Sequence, residues 1–307
     1  MTVSGFLSQL LQVAVALMLA PLLAGWVAQC RAWLSNRSAP SLLLPYRTIR
    51  KLFLKDAVVA ANASPLFRLT PYIVFGAMCC AAAIVPSLAT DLPFAHAADA
   101  IALVGLFALA RVFMALAAMD IGTAFGSLGA RRDMFIGFLA EPALLMVLFT
   151  ASLISGSTSL PEIVDTLAHR EFGIYPSLAF AGVAFTMVSL AENARVPVDN
   201  PATHLELTMI HEVMVLDHGG PDLGLVQYAA ALKLWVLGAL LVGVALPVQG
   251  LVPWAGPAVS LAGMAALAVL VGIVETVMAR LKLVRVPQLL AGAAALSVLA
   301  IVLVTRG

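Results

Sequence analysis

The sequence predicts an all-α integral membrane protein, a single domain of eight transmembrane helices with an interfacial amphipathic helix after the first. Three observations lead to this fold. Hydrophobic residues make up 62% of the chain and charged residues only 11%, against about 25% charged in soluble domains. Eight segments are apolar over the roughly 20 residues that a membrane span requires. Finally, lysine and arginine collect in alternate loops, as they do in membrane proteins.

The predicted spans fall in the order 5–30, 70–90, 99–120, 134–155, 174–192, 225–248, 256–280 and 286–304. The first lacks the basic start of a signal peptide and its apolar run is too long for one, so we expect it to be retained. Glycines and the cluster Arg131–Asp133 predict a loop between the third and fourth spans. The polar segment 156–173 predicts a simple outer loop.

The basic residues orient these spans. Thirteen of the seventeen Lys and Arg residues fall on one side of the predicted topology, and seven of them lie in loop 31–69. Because cytoplasmic loops are enriched in Lys and Arg, loops 31–69 and 193–224 are predicted to be cytoplasmic and both termini to lie outside. We therefore expect a multi-pass protein of a bacterial or archaeal cytoplasmic membrane.

An interfacial helix is predicted in the basic loop after the first span. Pro45 can begin it, since proline is favoured at the first helical position. Ile49, Leu52 and Phe53 form an apolar edge, and the opposite side carries basic residues, Arg47, Arg50, Lys51 and Lys55. This pattern is typical of helices that lie on the inner leaflet. A basic linker that only sets topology is the alternative.

Several functional classes are excluded by the composition. A net charge of +1 is not that of a nucleic-acid-binding domain. The three cysteines lack the spacing of an iron–sulfur or zinc site. His204, His211 and His218 recur every seven residues, about 10 Å along a helix, which is too far for one metal ion. No cofactor, metal site or catalytic centre is expected in this chain alone, so any redox centre must belong to partner subunits.

Ionisable residues are concentrated in the stretch 191–216, directly after the fifth span. Pro197 and Pro201 prevent that span from continuing as regular helix. Asn200 and Pro201 together fit the start of a short helix that ends near Leu216. The stretch contains a dense set of ionisable side chains, Glu192, Arg195, Asp199, His204, Glu206, His211 and Glu212.

Charged residues also occur within the predicted spans, namely Arg111, Asp120, Glu141, Lys233 and Glu275. Such residues are costly in lipid, and they usually pair in the bundle interior or line an ion path. Glu141 and Lys233 are interpreted as functional groups, with a buried structural ion pair as the alternative. Arg111 and Glu275 fit either role.

The run Ala191–Pro201, with the pattern A-E-x-x-R-x-P-x-D-x-P and followed by Glu206-Leu207, resembles the signature of subunit 1 of respiratory complex I. The resemblance covers nearly the whole chain, including the eight spans, the basic segment Arg50–Asp56 and Glu141. Within that family the chain is more similar to the membrane subunits of formate hydrogenlyase and hydrogenase 4, which belong to the group 4 nickel–iron hydrogenases. The segments that carry this closer likeness are Arg131–Pro142 and Asp199–Glu212, together with Lys233 and Glu275.

The resemblance implies a membrane-anchor and energy-coupling subunit of a membrane-bound hydrogenase or formate hydrogenlyase complex. Hydrogenase large and small subunits and iron–sulfur subunits would dock on the cytoplasmic face, carrying the nickel–iron centre and the iron–sulfur clusters. Antiporter-like subunits would adjoin the chain in the membrane, and protons or sodium ions would be translocated. The residues implied in the coupling path are Glu141, Glu192, Arg195, Asp199, Glu206, Glu212, Lys233 and Glu275.

Three alternatives remain open at this point. The chain could be a quinone-site subunit of an NADH:quinone oxidoreductase, although Ala202 and His204 stand where the complex I branch carries further acids. It could be a stand-alone ion transporter, for which no inverted repeat is visible. It could also be a structural anchor whose intramembrane acids affect assembly and not coupling.

Overall fold

The structure is a computed structural model that describes residues 3–88, 98–169, 176–200, 209–246 and 255–306. Within these ranges the chain is almost entirely helical. The α-helices are α1 Val3–Leu34, α2 Leu44–Phe53, α3 Pro65–Ile84, α4 Ala100–Asp120, α5 Ala124–Ser155, α6 Leu160–His169, α7 Pro176–Glu192, α8 His211–Val215, α9 Gly220–Ala245, α10 Ala255–Val277 and α11 Val286–Arg306. Among the described residues, seven helices are long and apolar enough to cross a membrane, and α7 is a shorter apolar helix.

The long helices pack closely because small residues line their contacts, as is common between membrane helices. Helix α3 lies against α4 and α9, α11 lies against α5 and α7, and α1 lies against α9 and α10. Alanines such as Ala16, Ala20 and Ala81 are fully buried. Gly272 of α10 has no room for a side chain, because an added Cβ would lie 3.1 Å from Cβ of Cys30 in α1.

Helix α5 begins at Ala124, so the loop predicted around Arg131–Asp133 is wrong. Thr123 starts the helix early, because its hydroxyl accepts a hydrogen bond from the Gly126 N–H at 3.3 Å and caps the first turn. The glycines serve packing and not a turn. A Cβ at Gly129 would lie 3.1 Å from the carbonyl oxygen of Ile210, so the segment before α8 rests directly on this helix.

The predicted outer loop 156–173 is also wrong over most of its length, since it contains α6. Leu160, Ile163 and Val164 of this helix are buried, because their spacing places them on one face. The polar residues that suggested a loop occupy its other positions. The helix packs against α5 and α9 and closes that end of the bundle.

The short helix predicted from Pro201 to Leu216 is not continuous. Residues 201–208 lie outside the described residues, Met209 and Ile210 are not helical, and α8 spans only His211–Val215. The carboxylate of Asp199 takes the place of a local cap. Its Oδ2 accepts hydrogen bonds from the N–H groups of Ile210 and His211, both at 3.1 Å.

Helix α2 begins with proline in its first turn and runs from Leu44 to Phe53, close to the limits predicted for an interfacial helix. The chain before it rests on α1 at Gly25, whose Cβ position is filled by the carbonyl oxygen of Leu42. Leu52 is buried, and α2 contacts α1 and α9. The helix is therefore fixed across the ends of two long helices.

His218, between α8 and α9, is a buried group with an unusual environment. Its ring stacks on Phe67 with centroids 4.1 Å apart, and neither ring nitrogen has a hydrogen-bond partner among the described residues. Burial lowers the pKa of His218 from 6.5 to about 4, with the charge of Asp217 opposing the shift. The folded protein therefore holds this ring in its neutral form.

This environment predicts a pH-dependent stability. Between pH 6.5 and about 4 the unfolded chain binds a proton that the folded chain excludes, so stability falls as the pH is lowered through that window. The loss amounts to at most about 3 kcal/mol. His218→Phe keeps the stacked ring and removes the titration. Thermal unfolding in detergent from pH 7 to 4 should therefore fall less steeply for the variant, and equal slopes would contradict the assignment.

Candidate functional site

The centre of the site is Arg111, which extends from the middle of α4 into the helix bundle. Its Nη2 lies 2.6 Å from Oε1 of Glu192, its Nη1 lies 3.4 Å from Oε1 of Glu141, and its Nε lies 3.6 Å from Oδ2 of Asp133. The arginine residue is 9% exposed. A single guanidinium thus joins carboxylates from α5 and α7 inside the protein.

Lys233 of α9 supplies the second cation of this cluster. Its Nζ lies 2.5 Å from Oε2 of Glu192, so the two oxygens of that glutamate are divided between Arg111 and Lys233. The side chain of Glu192 is fully buried, and the lysine also lies 5.1 Å from the ring centroid of Phe107. We call these five residues the Arg111 cluster: Arg111, Asp133, Glu141, Glu192 and Lys233.

Helix α5 is shaped to receive Arg111. Asp133, Gly137 and Glu141 recur every four residues, so they lie on one face over two turns. Gly137 provides the space between the two acids, because a Cβ there would lie 2.6 Å from Cδ of Arg111. The cluster therefore depends on a glycine as much as on its charges.

The chain leaves α7 at Glu192 through a tight turn. The N–H of Arg195 donates to the carbonyl oxygen of Leu190 at 2.9 Å, and Ala194 has a positive φ of 49°. This left-handed conformation is typical of the residue that ends a helix, where glycine is usual. The turn directs Arg195 away from the Arg111 cluster.

Arg195 forms the second ionic group of the site together with α10 and α1. Its Nη1 lies 2.5 Å from Oε1 of Glu275, whose other oxygen, Oε2, lies 3.5 Å from Nη1 of Arg31. Glu275 is 9% exposed, so this carboxylate is held between two arginines inside the protein. The predicted loop residue Arg195 therefore anchors the loop to the seventh predicted span.

Asp199 holds the far part of the same loop. Its Oδ1 lies 2.9 Å from Nη2 of Arg280 and accepts a hydrogen bond from the Asn200 N–H at 2.9 Å, while its Oδ2 binds the start of α8. The Leu281 N–H adds a 2.9 Å hydrogen bond to the carbonyl oxygen of Pro197. These contacts tie the loop after α7 to the chain segment after α10.

Two cavities lie beside these ionic groups. The cluster-side cavity has about 80 Å³ available to the centres of water-sized spheres, and its lining includes Arg111, Asp133, Glu192 and Lys233. The loop-side cavity has about 310 Å³ by the same measure, and α2, α9 and the loop after α7 enclose it. Its polar lining consists of Thr48, Asn193, Arg195, Asp199, His211, Glu212 and Gln227.

The structure brings together three of the predicted coupling residues, Glu141, Glu192 and Lys233, in the Arg111 cluster. Arg195 and Glu275 pair with each other, Asp199 pairs with Arg280, and Glu212 lines the loop-side cavity. Glu206 lies outside the described residues. Asp120 lies apart from the cluster and accepts a hydrogen bond from the Ser64 N–H at 2.8 Å.

Sequence reasoning missed Asp133, Arg31 and Arg280 as members of the site. Charge and neighbouring glycines placed Asp133 in a loop, although its spacing of eight residues from Glu141 would put both acids on one face of a longer helix. Arg31 and Arg280 stand at the ends of α1 and α10, where a basic residue is usually explained by topology alone. Their pairing with acids remote in sequence leaves no local signal.

Comparison with known proteins places this site in a family. The family model described as NADH dehydrogenase matches residues 8–305. The chain belongs to that family, which is the family of complex I subunit 1. The resemblance predicted from the signature after α7 is thereby confirmed.

Two relatives belong to the hydrogenase branch of the family. The chain is 33% identical to formate hydrogenlyase subunit 4 of Escherichia coli K12 over 268 residues, covering 87% of this chain and 84% of that protein. It is 34% identical to hydrogenase-4 component C of the same organism over 238 residues, covering 78% and 74%. A membrane subunit of the NADH-quinone oxidoreductase of Symbiobacterium thermophilum is 30% identical over 60% of this chain and 56% of that protein.

A solved structure shares the fold. It belongs to the membrane-bound sulfane sulfur reductase, an archaeal respiratory membrane complex, with a TM-score of 0.84 over 98% of this chain and 100% of that chain. The sequence identity is 20%, so this likeness describes the fold alone. It confirms a membrane protein of the helical architecture described above.

Gly137 offers a direct test of the cluster. Gly137→Ala would force the side chain of Arg111 out of its position, leaving buried carboxylates without their cation, a change that typically costs about 3 to 5 kcal/mol. The control is Gly182→Ala in α7, where an added Cβ has nothing within 4 Å. Thermal unfolding of the two purified variants should show a large loss for the first and none for the control. Equal stability would contradict the described packing of Arg111.

Proposed function

We propose that this chain is the membrane-anchor and energy-coupling subunit of a membrane-bound hydrogenase or formate hydrogenlyase complex. Its membership in the family and its similarity to formate hydrogenlyase subunit 4 and hydrogenase-4 component C support this assignment. In the membrane, α7 would be the eighth span beside the seven longer helices. Helix α2 would lie on the cytoplasmic surface, with loops 31–69 and 193–224 on that side and both termini outside.

The partners in this proposal bind on two surfaces. Hydrogenase large and small subunits and iron–sulfur subunits dock on the cytoplasmic loops and carry the nickel–iron centre and the iron–sulfur clusters. Antiporter-like subunits adjoin the helices within the membrane. The protein itself contributes ionisable groups along a path for protons, or for sodium ions.

The observation that carries the coupling role is the charge balance of the Arg111 cluster. Two cations, Arg111 and Lys233, lie among three carboxylates of the described residues. With all five groups ionised the cluster carries one negative charge in excess, which is unfavourable away from water. Binding one proton neutralises that excess without leaving a cation unpaired. The cluster is therefore suited to take up and release a single proton.

Glu192 connects this cluster to the loop. It is the last residue of α7, and Arg195, which binds Glu275, follows three positions later. A displacement of the loop by a docked redox subunit would move Glu192 relative to Arg111 and Lys233. The guanidinium would then be shared differently between Glu192 and Glu141, and the affinity of Glu141 for a proton would change with it.

Glu141→Gln tests the coupling role. The amide keeps the shape of the side chain and cannot carry a proton, so proton translocation by the assembled complex should fall at least about tenfold. Hydrogen evolution from reduced methyl viologen should remain, since that reaction belongs to the soluble arm. Luminal acidification of inverted membrane vesicles measures the first quantity and gas chromatography the second.

The matched control is Glu162→Gln in α6, an exposed glutamate outside the cluster, which should pump normally. Glu206→Gln extends the test to the predicted residue outside the described part of the chain. Normal pumping and normal assembly in both Glu141→Gln and Glu206→Gln would refute the relay. A loss of assembly with intact coupling per assembled particle would instead indicate a purely structural anchor.

The composition of the purified particle tests the assignment itself. Extraction in mild detergent should recover the chain with a hydrogenase-like large subunit and with bound nickel measurable by atomic absorption. A flavin-bearing dehydrogenase arm without nickel, together with quinone-dependent turnover, would instead indicate a complex I subunit. Ion transport by the chain alone in liposomes would indicate a stand-alone transporter.

A further inference from the structure

The two cavities beside the ionic groups meet at one short stretch of wall. Four residues line both of them, Asn193, Ala194, His211 and Ala230. Of these four, His211 alone has a side chain that binds and releases protons near neutral pH. The boundary between the cavities therefore contains a titratable group at a position where neither cavity by itself identifies one.

Both cavities are large and polar enough to hold water. A water molecule requires roughly 10 to 15 Å³ of space measured at its centre, against about 80 Å³ beside the Arg111 cluster and about 310 Å³ on the loop side. Water on one side of the boundary can reach Arg195 and Glu212, and on the other side Glu192 and Lys233. A proton crossing between them must pass the wall that His211 helps to form.

The backbone of His211 is fixed at this boundary. Its N–H donates to Oδ2 of Asp199 at 3.1 Å, and Asp199 is itself held by Arg280 at 2.9 Å. Gly129 of α5 lies against the following turn, since its Cβ position is 3.1 Å from Cγ1 of Val213. The imidazole is thus carried by a short helix that is anchored at both its start and its side.

We propose that His211 transfers protons between the loop-side cavity and the Arg111 cluster, an inference that rests on the proposed coupling function. The ring binds a proton at one nitrogen and releases a proton from the other, so it returns to its neutral form after each transfer. Only N–H bonds form and break. The proton enters through water in the loop-side cavity and leaves to the carboxylates beside Arg111.

The charges that line the two cavities around His211 come from several elements. On the loop side they are Arg195, Asp199 and Glu212, and on the cluster side they are Arg111, Asp133, Glu192 and Lys233. Helix α2 contributes uncharged residues to the described lining, Leu44, Pro45, Thr48 and Ile49. Acids and bases therefore stand on both sides of the ring, and transfer in either direction ends on a titratable group.

The experiment compares two variants of the complete complex in inverted membrane vesicles. His211→Ala removes the ring and leaves space, whereas His211→Gln fills the space with a group that does not titrate. Both should lower luminal acidification per hydrogen evolved from reduced methyl viologen at least about tenfold. Added imidazole should restore the Ala variant to within about twofold and leave the Gln variant unchanged. His218→Phe, a histidine replacement away from both cavities, is the control and should couple normally.

The outcomes separate this inference from the proposed function. If Glu141→Gln loses coupling while His211→Gln couples at the normal rate, the relay role is refuted and the coupling function stands. If the loss in His211→Ala is not restored by imidazole, the residue is structural and the relay is again refuted. If Glu141→Gln and His211→Gln both couple normally, the proposed function itself fails. Bound nickel per particle, measured for every variant, reports assembly.

Discussion

The structure depends on the burial of Arg111 in the middle of an apolar bundle. A charged group away from water is costly by several kcal/mol unless its partners are close and well placed. Here the partners come from α5 and α7, and Lys233 of α9 shares one of them. The four helices must therefore hold a fixed relative position, because a small displacement would leave one of the buried charges without its partner.

The same requirement explains features that carry no charge. Gly137 leaves room for the guanidinium between Asp133 and Glu141, and α5 must already be helical before Asp133 for the two acids to share a face. Helix α7 must end at Glu192, so that its carboxylate reaches both cations while the chain turns away. The tight turn at Ala194, with its left-handed backbone, meets that condition.

Glu192 and Arg195 belong to different ionic groups although three positions separate them. Glu192 binds inward to Arg111 and Lys233, whereas Arg195 binds Glu275 of α10. The loop between them is consequently attached to two parts of the bundle at once, and Asp199 attaches its far end to the chain after α10. A movement imposed on the loop from outside would be felt at buried carboxylates, which is the physical basis of the coupling proposed above.

The sequence alone determined the membrane class, the apolar segments and the family, because composition, hydrophobic runs and a contiguous motif are local properties. It failed at Arg131–Asp133 and at α6, where charge and polarity suggested loops and tertiary packing favoured helix. Only the tertiary structure decided which charges meet. Arg111 and Glu192 are 81 residues apart in sequence, and Arg195 and Glu275 are 80 apart. Such pairs are set by how helices pack, so their partners, and the position of His211 between two cavities, follow from the folded bundle and from no local pattern.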